Sequence, residues 1–411
     1  MRVLTVGNFY PPHHFGGYEQ VWSGAVRHLR SGGHEVRVLA TTYRHPDTRD
    51  SGEPDVHRAL EWYWRPGNFD VPGERIPLRR RYELERHNHA VFNRQLEDFR
   101  PHVVSFWSMG GMSHSLIEIV RRRGLPMVAF VHDEALDYGR FTDQWLRLFY
   151  APRRRPGARL VELLTGLPTH VDYAAAGRYV FVSEFVRQRA LQLPLRLRDT
   201  AVAHSGIDRA FIAQQHEERE WRWRLLYVGR LDPKKGTEDA VAALAQLPEQ
   251  ATLTFAGSWD VRDEHALAEH VESLGLRERV TMLGQVPHED LPAVYRQHDA
   301  LLFPVRWEEP WGLVPLEAMA SGCVVVATGR GGGGEYLRDG HNCLIAAVAD
   351  PASLAACVHR LAESRDLRGR LRAGGAETAP RHTDAVFNAQ VERHLLEAAG
   401  ASSAVREPTL V

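Results

Sequence analysis

Apolar residues recur along the chain in two rhythms. Short continuous runs at Arg2–Val6, Glu35–Ala40, Val103–Trp107, Met127–Val131, Tyr179–Ser183 and Thr200–His204 read as buried strands. Val21–Leu29 and Ser113–Arg123 instead carry helical spacing. The first forty residues make the clearest unit. A strand leads through a Pro- and Gly-rich loop, Asn8–Gly17, into a helix that stops at Ser31-Gly32-Gly33, and a second strand follows. That is a βαβ unit, and it implies a parallel sheet.

A second alternation starts at Arg224. Leu225–Val228, Thr252–Ala256, Val280–Leu283, Ala300–Pro304, Cys323–Ala327 and Cys343–Ala346 read as strands, with helical segments between most of them. Three stretches fit neither rhythm. Residues 44–85, rich in Pro, Arg and Asp, read as an irregular excursion near a binding cleft. Residues 136–170 mix aromatics with Arg and read as helices and loops. Gln214–Glu220 reads as a polar surface link. The predicted fold class is α/β, with two Rossmann-like domains whose parallel sheets face a cleft. The boundaries are 1–205 and 206–384. A helix over Ala385–Ala399 then occupies 385–400, and a polar tail, 401–411, is expected to be disordered.

Composition narrows the function. Apolar residues at 44% support a sizeable core, and a net charge of −1 supplies no basic field for nucleic acid. Cys323, Cys343 and Cys357 form no C-x-x-C pair, which argues against a disulfide framework or a cysteine zinc site and suits a reducing cytosol. His13-His14 and His87-x-His89 lack a third partner at ligand spacing, so no metal is expected. The N-terminus has no signal-peptide apolar region, and no run of about 18 apolar residues is present, so a cytoplasmic chain is expected. Trp145–Tyr150 followed by Arg153–Arg155 could lie on anionic lipid, although a solvated or packed face is the commoner use of such a stretch.

Five places could carry chemistry. Glu309-Pro-Trp-Gly-Leu-Val-Pro-Leu-Glu317 follows a strand and opens a helix predicted over Leu313–Ala320. Gly312 permits a tight turn, the amides of Leu313 and Val314 lie at the helix N-terminus as a phosphate site, and Pro315 suits the first turn. Gly229-Arg-Leu-Asp-Pro-Lys-Lys-Gly236 also joins a strand to a helix. Arg230 and Lys235 there can neutralise a diphosphate, in a chain with no D-x-D for a divalent metal. Basic residues are almost all arginine; Lys234 and Lys235 are the only lysines. Gly16-Gly17 follows the first strand and allows close approach to a ligand. His132-Asp133 ends the Met127–Val131 strand, where His132 can meet a sugar hydroxyl. Gly331–Glu335 is either a mobile loop beside the site or a flexible connector.

Taken in order, these motifs resemble glycosyltransferase family 4, the retaining enzymes of GT-B fold. The likeness is strongest over 224–360. It rests on Glu309-x7-Glu317, the Gly229–Gly236 motif, Asp299–Pro304 (DALLFP), Glu317–Gly322 (EAMASG), Ser205–Asp208 and Gly284-Gln285-Val286. The resemblance implies that Glu309 contacts the donor sugar and that the amides of Gly312, Leu313 and Val314 place sugar and phosphates. It implies that Glu317 holds the ribose and that Arg230 and Lys235 bind the diphosphate. Backbone at Gln285 and Val286 would meet the base, His132 would sit by the sugar, and Gly16-Gly17 would lie near phosphates and acceptor. The last helix would cross back to the first domain. Trp311 stands where Phe is common, as an enlarged apolar wall, and the four-glycine loop departs from the usual Gly-Gly followed by bulkier residues.

The implied reaction moves a hexosyl unit from a nucleotide diphosphate sugar, UDP by default, to an acceptor hydroxyl. It proceeds with retention and without metal or other cofactor. The donor base, donor sugar and acceptor are not read. The alternatives are a GT-B epimerase or inverting transferase, an NAD-dependent oxidoreductase (disfavoured by the missing G-x-G-x-x-G) and a non-catalytic sugar-binding protein.

Overall fold

In the computed structural model, which describes residues 1–13, 16–45, 48–49, 52–63, 76–151, 155–212, 220–259 and 261–406, the apolar runs form two all-parallel sheets. The first holds β1 (Arg2–Val6), β2 (Glu35–Thr41), β3 (Val56–Leu60), β4 (Val103–Phe106), β5 (Met127–Val131), β6 (Arg178–Phe181) and β7 (Asp199–Val202), in the order β3-β2-β1-β4-β5-β6-β7. The second holds β8 (Arg224–Val228), β9 (Thr252–Ala256), β10 (Val280–Gly284), β11 (Ala300–Phe303), β12 (Val324–Ala327) and β13 (Leu344–Ile345), in the order β10-β9-β8-β11-β12-β13. Central strands such as β4, β11 and β12 are buried throughout, as parallel strands covered by helices on both faces must be. Register follows this burial: Val6 lies beside Leu39 and Phe106, and Ala300 beside Leu225 and Val324.

The chain divides into two compact units, Met1–His204 with Asn388–Val411, and Ser205–Phe387. In each sheet the strand order reverses beside the unit's first strand, between β1 and β4 and between β8 and β11. Loops leaving the carboxyl ends of two such strands diverge to opposite faces and leave a crevice. These two reversals decide which loops can hold a ligand.

The structure corrects three expectations. Residues 44–85 are not wholly irregular. They contain β3, and a helix begins at Leu78 and runs to Phe99. That helix buries Arg81, Leu84, Glu85, Asn88, His89, Phe92 and Leu96, which recur at helical spacing, but most of them are polar. Each has a partner: Glu85 accepts from Ser115 Oγ at 2.8 Å, Asn88 donates to the Glu61 carbonyl at 2.7 Å and Arg81 to the Gln144 carbonyl at 3.0 Å. A buried face built from paired polar groups carries little hydrophobic periodicity.

Trp145–Tyr150 takes the packed alternative at its start. Trp145 and Leu146 are buried with Tyr63, Leu84 and Leu167, and the Trp145 indole donates to the Pro168 carbonyl at 2.7 Å. Arg153 and Arg154 lie outside the described residues. Among the described residues no helix is long and apolar enough to cross a membrane. Gly331–Glu335 is a short 3-10 turn and not a slack connector. The closing helix spans Asp384–Arg406, so the first part of the expected tail is helical, while residues 407–411 and most of Gln214–Glu220 lie outside the described residues. Within the first unit this helix is pinned by Glu392, which bonds His28 at 2.9 Å and His34 at 2.8 Å.

Candidate functional site

The second unit's crevice is built from the loops that follow β8 and β11. After β8 the chain makes a 3-10 turn, Pro233–Lys235, capped by Asp232, whose side chain accepts from the Lys234 amide at 2.9 Å. Gly236 then adopts φ +73°, and a Cβ there would lie 2.0 Å from the Pro304 carbonyl oxygen. Only glycine lets these two loops touch. They are further joined by the Arg306 amide donating to the Lys234 carbonyl at 2.8 Å and by a two-point bond from Arg306 to Asp239 at 2.7 and 2.8 Å.

This contact brings Lys235 onto Glu309. Lys235 Nζ donates to Glu309 Oε2 at 2.5 Å, the Trp307 indole donates to the same oxygen at 2.9 Å, and the ammonium stands 5.1 Å from the Trp307 ring centre. Both charged side chains are largely screened, 19% and 13% exposed. The other lysine, Lys234, is exposed. Arg230 shares the loop but is 62% exposed, with Asp232 at 3.9 Å as its ion-pair partner, so it is a solvated cation beside a screened one.

Beyond Glu309 the backbone is held from both sides. Its carbonyl accepts from the Gly332 amide at 2.7 Å, and the Gly312 carbonyl, at a residue with φ +85°, accepts from Tyr336 Oη at 2.5 Å. Leu313 caps the helix Val314–Ala320. Glu317 lies one turn in, buried, accepting from Tyr295 Oη at 2.8 Å. Burial pushes its carboxyl above the usual range, against the pull of Tyr295 and nearby His288. Trp311 is 3% exposed and packs on Tyr336 and His382, with its indole donating to the Ser205 carbonyl at 2.9 Å. It stands behind the Gly312 turn, where the enlarged apolar side chain is packed and not exposed. Gln285 and Val286 follow β10, at the edge of the sheet, and do not join this cluster directly. They are tied to it through hydrogen bonds between strand ends, Gly229 to Ala256 and Gly257 to Gly284, both 2.9 Å.

The first unit holds the remaining predicted residues. Gly16 caps the helix Gly17–Ser31, its amide donating to Glu19 at 3.0 Å, and a Cβ on Gly17 would meet nothing within 4 Å. Nothing in the protein itself therefore demands a glycine at 17. His132 leaves β5 and stacks its ring 4.5 Å from Tyr18 and 5.8 Å from Trp107. Burial pushes its imidazole down to about 3, so it is neutral at ordinary pH.

That shift has a measurable consequence. An unfolded histidine takes its proton near pH 6.5. Between that value and about 3 the unfolded state binds more protons, so stability rises with pH across the window. His132→Phe is expected to flatten this acid limb in urea titrations, leaving the part due to the other histidines that burial pushes down, among them His114, to about 4. An unchanged slope would show that His132 is not held neutral by its surroundings.

Sequence reading missed Trp307, Tyr295 and Tyr336. Trp307 was signalled only by lying two residues before Glu309. Tyr295 and Tyr336 reach the site from elements whose proximity no local pattern records. Among the described residues no group of three or more His, Cys, Asp or Glu could hold a metal.

Two family descriptions match the chain: Glycosyltransferase Family 4 over residues 15–211 and Glycosyl transferases group 1 over residues 208–378. A glycogen synthase of Mycobacterium tuberculosis is 36% identical over 168 residues, 39% of this chain and 39% of that protein. A mannosylfructose-phosphate synthase of Agrobacterium fabrum is 35% identical over 164 residues, 38% of this chain and 36% of that protein. The chain thus spans about two fifths of these curated relatives. Among solved structures, sucrose-phosphate synthase from Thermosynechococcus elongatus superposes with a TM-score of 0.72 at 19% identity, covering 97% of this chain and 99% of that one. Anabaena HepE in complex with UDP and glucose gives 0.68 at 19% identity, covering 97% and 100%. At that identity these structures establish the fold alone: two parallel-sheet Rossmann-like units of the GT-B kind.

Proposed function

The chain belongs to the group 1 glycosyltransferases of family 4, and from that premise we propose that it moves a hexosyl unit from a UDP-sugar to an acceptor hydroxyl, with retention and without a metal. The observation that carries this reading is the Lys235–Glu309 contact at the strand-order reversal of the second sheet. It sets a fixed cation and a fixed carboxylate side by side at the place where parallel sheets take nucleotides. UDP as the carrier is supported by the UDP and glucose in the Anabaena HepE structure.

In this reading Lys235 and Arg230 neutralise the diphosphate as its bond to the sugar breaks, and Glu309 exchanges its ion pair for sugar hydroxyls. The amides of Gly312, Leu313 and Val314 receive phosphate oxygens, Glu317 holds the ribose, and Gln285 and Val286 meet the base. His132, neutral on the first unit, is assigned a hydrogen bond to a sugar hydroxyl. Gly16 and Gly17 are assigned close backbone approach to phosphates or acceptor. Glu309 and Glu317 are not an acid–base pair here. One is engaged by a lysine and the other by a tyrosine, so rate comes from positioning and charge stabilisation.

The test is incubation of the purified chain with a panel of UDP-sugars, measuring UDP release, with EDTA in a parallel series. Release from at least one UDP-sugar is expected, unchanged by EDTA. Absence of release and of UDP binding would sink the reading, and strict metal dependence would sink its metal-free form. With any transferred product, the anomeric configuration by NMR separates retention from inversion.

A further inference from the structure

Next to His132 the first unit holds a cavity of about 140 Å³ at the carboxyl end of β5, between the helices Ala135–Thr142 and Glu184–Leu191. It shares Val131, Asp133 and Leu136 with the smaller recess that houses His132, Tyr18 and Trp107. One water needs roughly 10–15 Å³ by this measure. The cavity therefore takes on the order of ten waters, or one substituted six-membered ring.

The lining is of two kinds. Val131, Leu136, Val186 and Leu193 give an apolar floor of the sort that meets a ring face. Among the described residues the charged groups are Asp133, Glu134, Asp137 and Arg189, three carboxylates against one guanidinium. Asp133 is used by the protein, accepting from the Ala135 amide at 2.9 Å and from Tyr138 Oη at 2.7 Å. Glu134 Oε1 lies 3.1 Å from Arg189, at an angle that makes no hydrogen bond, and this oxygen is fully buried. The Asp137 side chain has no ion-pair or hydrogen-bond partner among the described residues. Arg189 answers Glu134 by charge alone, and a cavity with surplus negative charge favours a cation.

We propose that this cavity receives the acceptor and selects a polyhydroxylated six-membered ring bearing a protonated amine, with Asp137 as the ammonium's partner. The proposal rests on the transferase reading above and assigns the acceptor to the first unit. Hydroxyls of the ring donate to Glu134 beside Arg189, and its less polar face lies on the apolar floor.

The test titrates glucosamine, N-acetylglucosamine and glucose separately into the full chain at about pH 6 by ligand-observed NMR. UDP is titrated in a separate series. Glucosamine is expected to bind about tenfold more tightly than the two uncharged sugars, and to weaken with added salt. Asp137→Asn is expected to remove that tenfold preference, and Leu193→Trp, which fills the cavity, to abolish ring binding. Both variants should melt as the wild type does and bind UDP unchanged. Equal binding of all three sugars, no binding of any, or glucosamine binding untouched by both variants would overturn the proposal. Failure to bind UDP with amino-sugar selectivity intact would strike the donor reading and leave the cavity's ligand standing.

Discussion

Lys235→Ala is expected to lower sugar transfer by about two to three orders of magnitude, the loss typical when one fixed group that stabilises transition-state charge is removed. Three observations set that size. The ammonium is screened from water, which strengthens its field at a diphosphate. It is positioned before ligand arrives, by Glu309 on one side and the Trp307 ring on the other, so little reorganisation is needed when charge develops. No neighbour can stand in: Lys234 is exposed with its backbone tied to Arg306, and Arg230 is mostly solvated. The fold should persist, because Glu309 keeps the Trp307 indole as a donor. Lys235→Arg should recover part of the rate and Lys235→Met none, since the stem alone restores packing without charge. Steady-state kinetics with UDP-glucose, alongside thermal melts, measure this. Near-normal turnover in Lys235→Ala, or a rate loss matched by unfolding, would remove Lys235 from its role.

That result bears on what a linear sequence can carry. The strands were legible because a strand buried on both faces is a continuous apolar run, and ten or more such runs in alternation with helices leave little but parallel sheets. β3 was not legible: Val-His-Arg-Ala-Leu at a sheet edge is half-buried and breaks the apolar run. The Leu78–Phe99 helix was lost for a related reason, since Arg81, Glu85, Asn88 and His89 fill its buried side with polar groups whose partners come from distant segments. The site was legible as motifs and illegible as contacts. Lys235 and Glu309 are 74 positions apart, and no local pattern records their ion pair. The Glu309–Glu317 motif therefore changes meaning: Glu309 belongs with Lys235 and Trp307, whereas Glu317 belongs with Tyr295.

Gly331→Ala is expected to reduce transfer about a hundredfold, although its residue touches no assigned ligand group through a side chain. Gly331 has φ +66°, and a Cβ there would fall 2.3 Å from the Glu309 carbonyl oxygen and 2.7 Å from its nitrogen. Both are backbone atoms, so no side chain can rotate out of the way. The neighbouring Gly332 amide holds the same carbonyl at 2.7 Å, which ties the turn to Glu309. Relief requires the Glu309 segment to move by about 1 Å, and a misplacement of that size can cost a hundredfold in rate. The second unit should also lose about 2–4 kcal/mol, from left-handed backbone strain and from overpacking together. Gly340→Ala supplies the control. It has φ +71°, but a Cβ there meets nothing within 4 Å. It should lose about 1 kcal/mol through strain alone and keep its turnover. Comparing the two variants by melting and by UDP-sugar kinetics separates strain from displacement. Equal rates in both would mean that the four-glycine turn does not set the position of Glu309.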